Sequence, residues 1–272
     1  MSDHTTSASG SYGPTGGTAR HLTRGLTAAS TLTGRDIRLH RRNIDAIITS
    51  LMMPIMLMLV FVYFFGGAID TGTRYVTYVV PGVLVLCAGF GAAGTAVSVT
   101  EDMRLGVVDR FRTLDIGGTP FLAGHVAAAL TRNALSTALV LGVAFLIGFR
   151  PAATAGGWLA AIGLLLAYIT AVSWLSAALG LLTRTAEAAG AVIFFMMFLP
   201  YPSSAFVPID TMPSWLHGFA EHQPVTPLIE SMRGLLLDQP VGNSPWIALS
   251  WCAALLTVAV AASGFLFRVR TR

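Results

Sequence analysis

The chain has 272 residues, 54% of them hydrophobic and only 11% charged, with a mean hydropathy of +0.69. A soluble domain is about 25% charged, so this composition cannot cover a water-facing globule and places the protein in a membrane. All 17 basic residues are arginine and none is lysine, so the net charge of +4 rests on groups that stay protonated. Cys87 and Cys252 both fall inside apolar runs, which excludes a disulfide-stapled secreted fold and leaves them as packing residues.

Residues 1–18, MSDHTTSASGSYGPTGGT, lack the apolar core of a secretory signal and read as a disordered cytoplasmic tail. Residues 19–272 read as one all-α, six-span membrane domain. At its start, Leu22, Leu26, Ala29, Leu32 and Ile37 alternate with Arg24, Arg35, Arg38 and Arg41 at helical spacing, the pattern of an amphipathic helix lying in the membrane plane. Topological anchoring and partner docking both fit such a helix.

A helix crossing the hydrocarbon layer needs about 20 apolar residues. Six stretches meet or approach that length: Ala46–Phe65, Tyr75–Val99, Val126–Phe149, Trp158–Leu182, Ala188–Val207 and Trp246–Phe267. Between the second and third, Leu105, Val108, Phe111 and Leu114 share a helix face, with Arg104, Asp109, Arg110 and Arg112 on the remainder. Glu101 and Asp102 are expected in the first turn of this loop helix, where carboxylates suit the dipole, and Gly117, Gly118 and Pro120 end it. Arg132 stands in the third stretch, where snorkelling to the interface and an internal ion pair are both open. The fifth stretch is crowded by Pro200, Pro202 and Pro208; a regular helix from about Glu187 to Leu199 is expected, then a broken segment shielded by protein.

Seven of the 13 prolines lie from Pro200 to Pro240, so the connection to the last span is expected to be compact and bent. Trp215, with Pro213, Leu216 and Phe219, suggests a short interfacial helix. Thr226-Pro227 resembles a helix start, followed by an apolar face of Leu228, Met232, Leu235 and Leu236, with Glu230 and Arg233 spaced to pair. Two short re-entrant helices would then cap the outer end.

With the N-terminus inside, thirteen arginines flank the spans on the cytoplasmic side and only Arg74, Arg150 and Arg233 lie outside. This bias places both termini in the cytoplasm of a cell-membrane protein. It also explains the pI near 9.5 through anionic lipid headgroups, without nucleic acid. No HExxH motif occurs, and His217 and His222 form a lone pair, so neither a catalytic site nor a metal site is expected.

Two motifs carry a resemblance. GVVDRFRTLDIGGTP, Gly106–Pro120, is similar to the cytoplasmic coupling region of type 2 ABC exporter permeases, in the multidrug branch typified by the daunorubicin-resistance permease. AFVPIDTMPSWLHGFAEHQPVTPLIESMRGLL, Ala205–Leu236, resembles the same branch's signature before the last span. The departure is His222-Gln223, where the family carries an asparagine before Pro-Val-Thr. The resemblance implies two six-span permeases, as a homodimer, working with two separate cytoplasmic ATPase subunits by alternating access. ATP and Mg would be bound there, because a chain without lysine cannot form a GxxxxGK[ST] phosphate loop. It places Glu101, Asp102, Arg104, Gly106, Asp109, Arg110, Phe111, Arg112 and Leu114 against the ATPase. It places Phe90 and Val97 of the second span, with Phe195, Met196, Phe198 and Tyr201 of the fifth, along the substrate pathway, and Trp215, Glu230 and Arg233 in the outer cap.

Flexible methionines, including Met52, Met53, Met56 and Met58 in the first span, and aromatic faces suit varied amphiphiles, though packing explains them equally. Few charges in the interior argue against an ion-coupled carrier. Export of hydrophobic or amphiphilic drugs is the primary reading; export of an endogenous lipid or glycan, and a non-transport membrane scaffold, are the alternatives.

Overall fold

A computed structural model describes residues 44–105 and 118–270, which are helices joined by turns. Helix α1 (Ile44–Val60) runs into one wider π turn, Phe61–Phe65. The long helices are α2 (Tyr75–Arg104), α3 (Gly118–Leu146), α4 (Ala155–Leu182) and α8 (Ser244–Arg270). Between the last two lie α5 (Ala186–Met197), α6 (Ser214–His222) and α7 (Val225–Leu237). Among the described residues, four helices are long and apolar enough to cross a membrane. The first and fifth expected spans are a shorter apolar helix and a 12-residue helix.

Helix α2 is the centre of the bundle and packs against α1, α3, α4, α5 and α7. It carries Gly89, Gly91 and Gly94 without breaking, because in an apolar surround no water competes for its backbone. Helix α4 starts at a Thr154 cap, whose Oγ1 accepts from Gly157 N at 3.1 Å. Its far end meets α2 so closely that a Cβ on Gly180 would lie 2.6 Å from the Ala96 carbonyl oxygen. The Thr100 hydroxyl binds there, 2.8 Å from Ala96 O, 3.0 Å from Gly180 O and 3.0 Å from Thr183 Oγ1.

One expectation changes. Glu101 and Asp102 do not open a loop helix; they lie in the last turn of α2, which runs on to Arg104 because no glycine or proline intervenes before Gly106. Met58 is fully buried, whereas Met52, Met53 and Met56 are exposed; it packs in the main core with α2 residues such as Val79 and Val83.

Candidate functional site

Non-helical backbone within a bundle needs partners for its carbonyls, and the segment after α5 shows where they come from. Pro200 and Pro202 end the helix, as their ring geometry requires, and residues 198–206 turn through the proline-rich end. Tyr75 Oη donates to Phe206 O at 2.8 Å. Gln223 Nε2 donates to Pro202 O at 2.6 Å. Arg233 reaches Ser204 O at 2.5 Å through Nη2 and Tyr78 O at 3.3 Å through Nε, while its guanidinium lies 3.7 Å from the centre of the Tyr78 ring. The Ser203 hydroxyl donates to Pro200 O and accepts from Ala205 N. Donors from α2, α7 and the α6–α7 turn thus pin the broken segment.

Glu230 and Arg233 act on each other electrostatically, as their spacing suggested, but the hydrogen bonds of Arg233 go to backbone carbonyls. Glu230 is exposed, and Arg233 turns to the carbonyls of the buried Ser204 and Tyr78, acceptors that water cannot satisfy as well. Thr226 and Pro227 stand in the first turn of α7, which begins at Val225 behind Pro224; the Thr226 hydroxyl donates to Ala220 O, tying α7 to α6. Trp215 is exposed in the first turn of α6.

The pinned segment forms one wall of an apolar pocket with a cavity volume of about 90 Å³. Leu86, Gly89 and Phe90 of α2 face Tyr168, Val172, Leu175 and Ser176 of α4; Met197, Leu199 and Pro200 close one side, and Pro224, Val225 and Leu255 another. Hydrophobic and aromatic walls that include two hydroxyl-bearing residues, Tyr168 and Ser176, suit an apolar or weakly polar guest.

Of the pathway residues expected from sequence, Phe90 lines this pocket. Val97 packs instead with Ala96, Ala189 and Met197 at the α2–α5 contact. Phe198 and Tyr201 join a run of rings: Phe194 to Phe198 at 5.0 Å between centroids, Phe198 to Tyr201 at 5.7 Å, Tyr201 to Phe206 at 5.6 Å and Phe206 to Phe61 at 4.4 Å. This run leads from α5 to the π turn, with Phe194 and Phe198 exposed. The side chains of Phe195 and Met196 lie outside the described residues.

At the opposite end, the buried Asp102 and His125 meet, Oδ2 to Nε2 at 3.3 Å. Phe121 presents its ring at 75° to the His125 imidazole, 4.8 Å between centroids. The pair joins the end of α2 to the first turns of α3. Glu101 and Arg104 are exposed there. Gly106, Asp109, Arg110, Phe111, Arg112 and Leu114 lie outside the described residues. Sequence reasoning missed the roles of Tyr75, Gln223 and His125; the Gln223 departure from the family pattern was the one available signal.

Residues 27–237 match the model of the ABC-2 type transporter family. The chain is 31% identical over 195 residues to the daunorubicin resistance ABC transporter permease protein DrrB1 of Streptomyces coeruleorubidus, covering 70% of this chain and 68% of that protein. It is 26% identical over 247 residues to the probable doxorubicin resistance ABC transporter permease protein DrrC of Mycobacterium tuberculosis, covering 86% of each.

Proposed function

The chain belongs to the ABC-2 type transporter family, and we propose that it is the permease subunit of an ATP-driven exporter that moves hydrophobic or amphiphilic drugs out of the cell by alternating access. The observation that carries this reading is the apolar pocket between α2, α4, α7, α8 and the broken segment, in a chain whose relatives are drug-resistance permeases. A guest in that pocket exchanges water for hydrocarbon and aromatic contacts, at about 25 cal/mol per Å² of apolar surface.

ATP and Mg are bound by separate ATPase subunits, two per pair of permease copies. The region from Glu101 to Leu114, at the end of α2 and beyond it, meets the ATPase, and the Asp102–His125 contact makes the ends of α2 and α3 move as one. Thr100 passes that motion to α4. Both termini face the cytoplasm, and the proline-rich end faces outward.

The first test is whether a neighbouring reading frame encodes a soluble ATPase with a phosphate loop, whose absence would count against export; the second is reconstitution with that ATPase. Drug-stimulated ATP hydrolysis and export are expected. Asp109→Ala with Arg110→Ala should lower transport-coupled hydrolysis about tenfold while the permease stays folded. Unchanged transport in that variant would remove the coupling role, and a complex that no amphiphile stimulates would remove the export reading.

A further inference from the structure

The inner wall of the apolar pocket differs from its rim. Tyr168, Val172, Ser176 and Val225 are buried, whereas Phe90, Met197 and Leu255 are half-buried around the mouth. Both hydroxyls of the lining therefore belong to the inner wall, and the protein leaves them unused. The Thr170 hydroxyl on the same helix donates to Leu166 O at 2.7 Å; those of Tyr168 and Ser176 have no hydrogen-bond partner among the described residues. The Cys252 thiol of α8 stands near Tyr168 without such a bond.

Opposite them the floor is open. Leu86 and Phe90 of α2 face the stretch from Tyr168 to Ser176, and Ala96 lies against Gly180, so the two helices advance together. Gly89, seven residues before Ala96, is then level with Ser173, seven before Gly180, between Tyr168 and Ser176. A Cβ on Gly89 would meet nothing within 4 Å, so this glycine leaves the α2 backbone bare to a guest. The cavity of about 90 Å³ is small: an engineered one of about 150 Å³ takes benzene, and drug-sized ligands fill about 300–1,000 Å³. It admits the leading end of an amphiphile and leaves the rest outside.

We propose that Tyr168 is a specificity residue of this pocket, donating to a neutral acceptor oxygen, a ketone or ester carbonyl, at the leading end of an uncharged guest that lies over Gly89. The inference rests on the export reading above and names the chemistry of the same site. The lining carries no charged side chain, so a carboxylate or ammonium entering it would lose its water without gaining a partner. A carbonyl needs one donor, and the phenol supplies it where its hydroxyl would otherwise face hydrocarbon. Ser176 is the weaker donor, because a helical serine can turn back to the carbonyl four residues before it.

The test uses the full permease–ATPase complex in nanodiscs, with para-fluoroacetophenone and para-fluoro-α-methylstyrene as probes, which differ only in a carbonyl oxygen exchanged for a methylene carbon. Fluorine NMR reads the dissociation constant of each, and Gly89→Leu, whose Cβ meets nothing, supplies the blocked reference. Tyr168→Phe should weaken the ketone about three- to tenfold, the range of a neutral hydrogen bond, and leave the hydrocarbon unchanged. Its unfolding midpoint should equal that of the wild type, since the lost hydroxyl has no partner among the described residues. Equal weakening of both probes, or of neither, overturns the proposal; so does a ketone loss in Ser176→Ala that Tyr168→Phe does not show. Probe binding that Gly89→Leu leaves untouched, or a wild type that binds neither probe, overturns it as well. Ketone binding through Tyr168 in a complex whose ATP hydrolysis no amphiphile stimulates overturns the export reading and leaves the Tyr168 contact standing.

Discussion

Helices α2 and α8 have the same mean hydropathy, yet 76% of the most apolar stretch of α2 is buried and only 17% of that of α8. The difference lies in where small side chains stand. In α2, Ala88, Ala92 and Ala96 are fully buried with Val79, Val80, Val83 and Val85, so neighbours approach from several sides. In α8, buried Ala248, Cys252, Ala259 and Ser263 form one stripe, while Trp246, Trp251, Val258 and Phe265 face outward. Hydropathy assigns a helix to the membrane; the placement of small residues decides whether it is encircled.

The sharpest way to break that contrast is a bulky residue at a close approach. Gly180→Leu drives a side chain into the Ala96 backbone, where no rotamer change relieves it, and should abolish the monodisperse folded permease in detergent size-exclusion. Gly264→Leu on α8 meets nothing within 4 Å and should elute as wild type. Equal damage from both would show that α8 is encircled too.

A smaller loss is expected from Arg233→Ala, which strips two carbonyls of their donor and removes the Tyr78 contact. About 2–4 kcal/mol of stability should go, read as a lower unfolding midpoint, with Arg233→Lys intermediate. Asp102→Ala, which leaves His125 buried without its carboxylate, should cost about 1–3 kcal/mol, seen in the same measurement. Phe265→Leu on the exposed face of α8 should change the midpoint by less than about 0.5 kcal/mol.

Much of the helical layout was legible. The proline cluster foretold that the fifth apolar stretch would break, and α5 ends at Met197, two residues before the expected Leu199. Two short helices follow, α6 and α7, as Trp215 and the Thr226-Pro227 pair suggested. The turn residues legislate such events locally, through missing donors and fixed φ. Glu101 and Asp102 misled for the same local reason: carboxylates near an amphipathic pattern look like a helix start, while α2 simply continues through them. Of the pocket's lining, Phe90 was named because the resemblance placed the second span along the pathway; Tyr75, Gln223 and His125 were not, since their partners lie 131, 21 and 23 residues away.

Composition and periodicity by themselves determined that this chain lives in a membrane, where its apolar helices run and where its backbone must break. Those are properties of each segment's own exchange between water and hydrocarbon. Which helix is central, which carbonyls of the broken segment are met by Arg233, Gln223 and Tyr75, and that Arg132 rests on Gly91 at mid-height were decided only by tertiary packing. Contacts between distant segments depend on the matching of surfaces, and no single segment's hydropathy records that match.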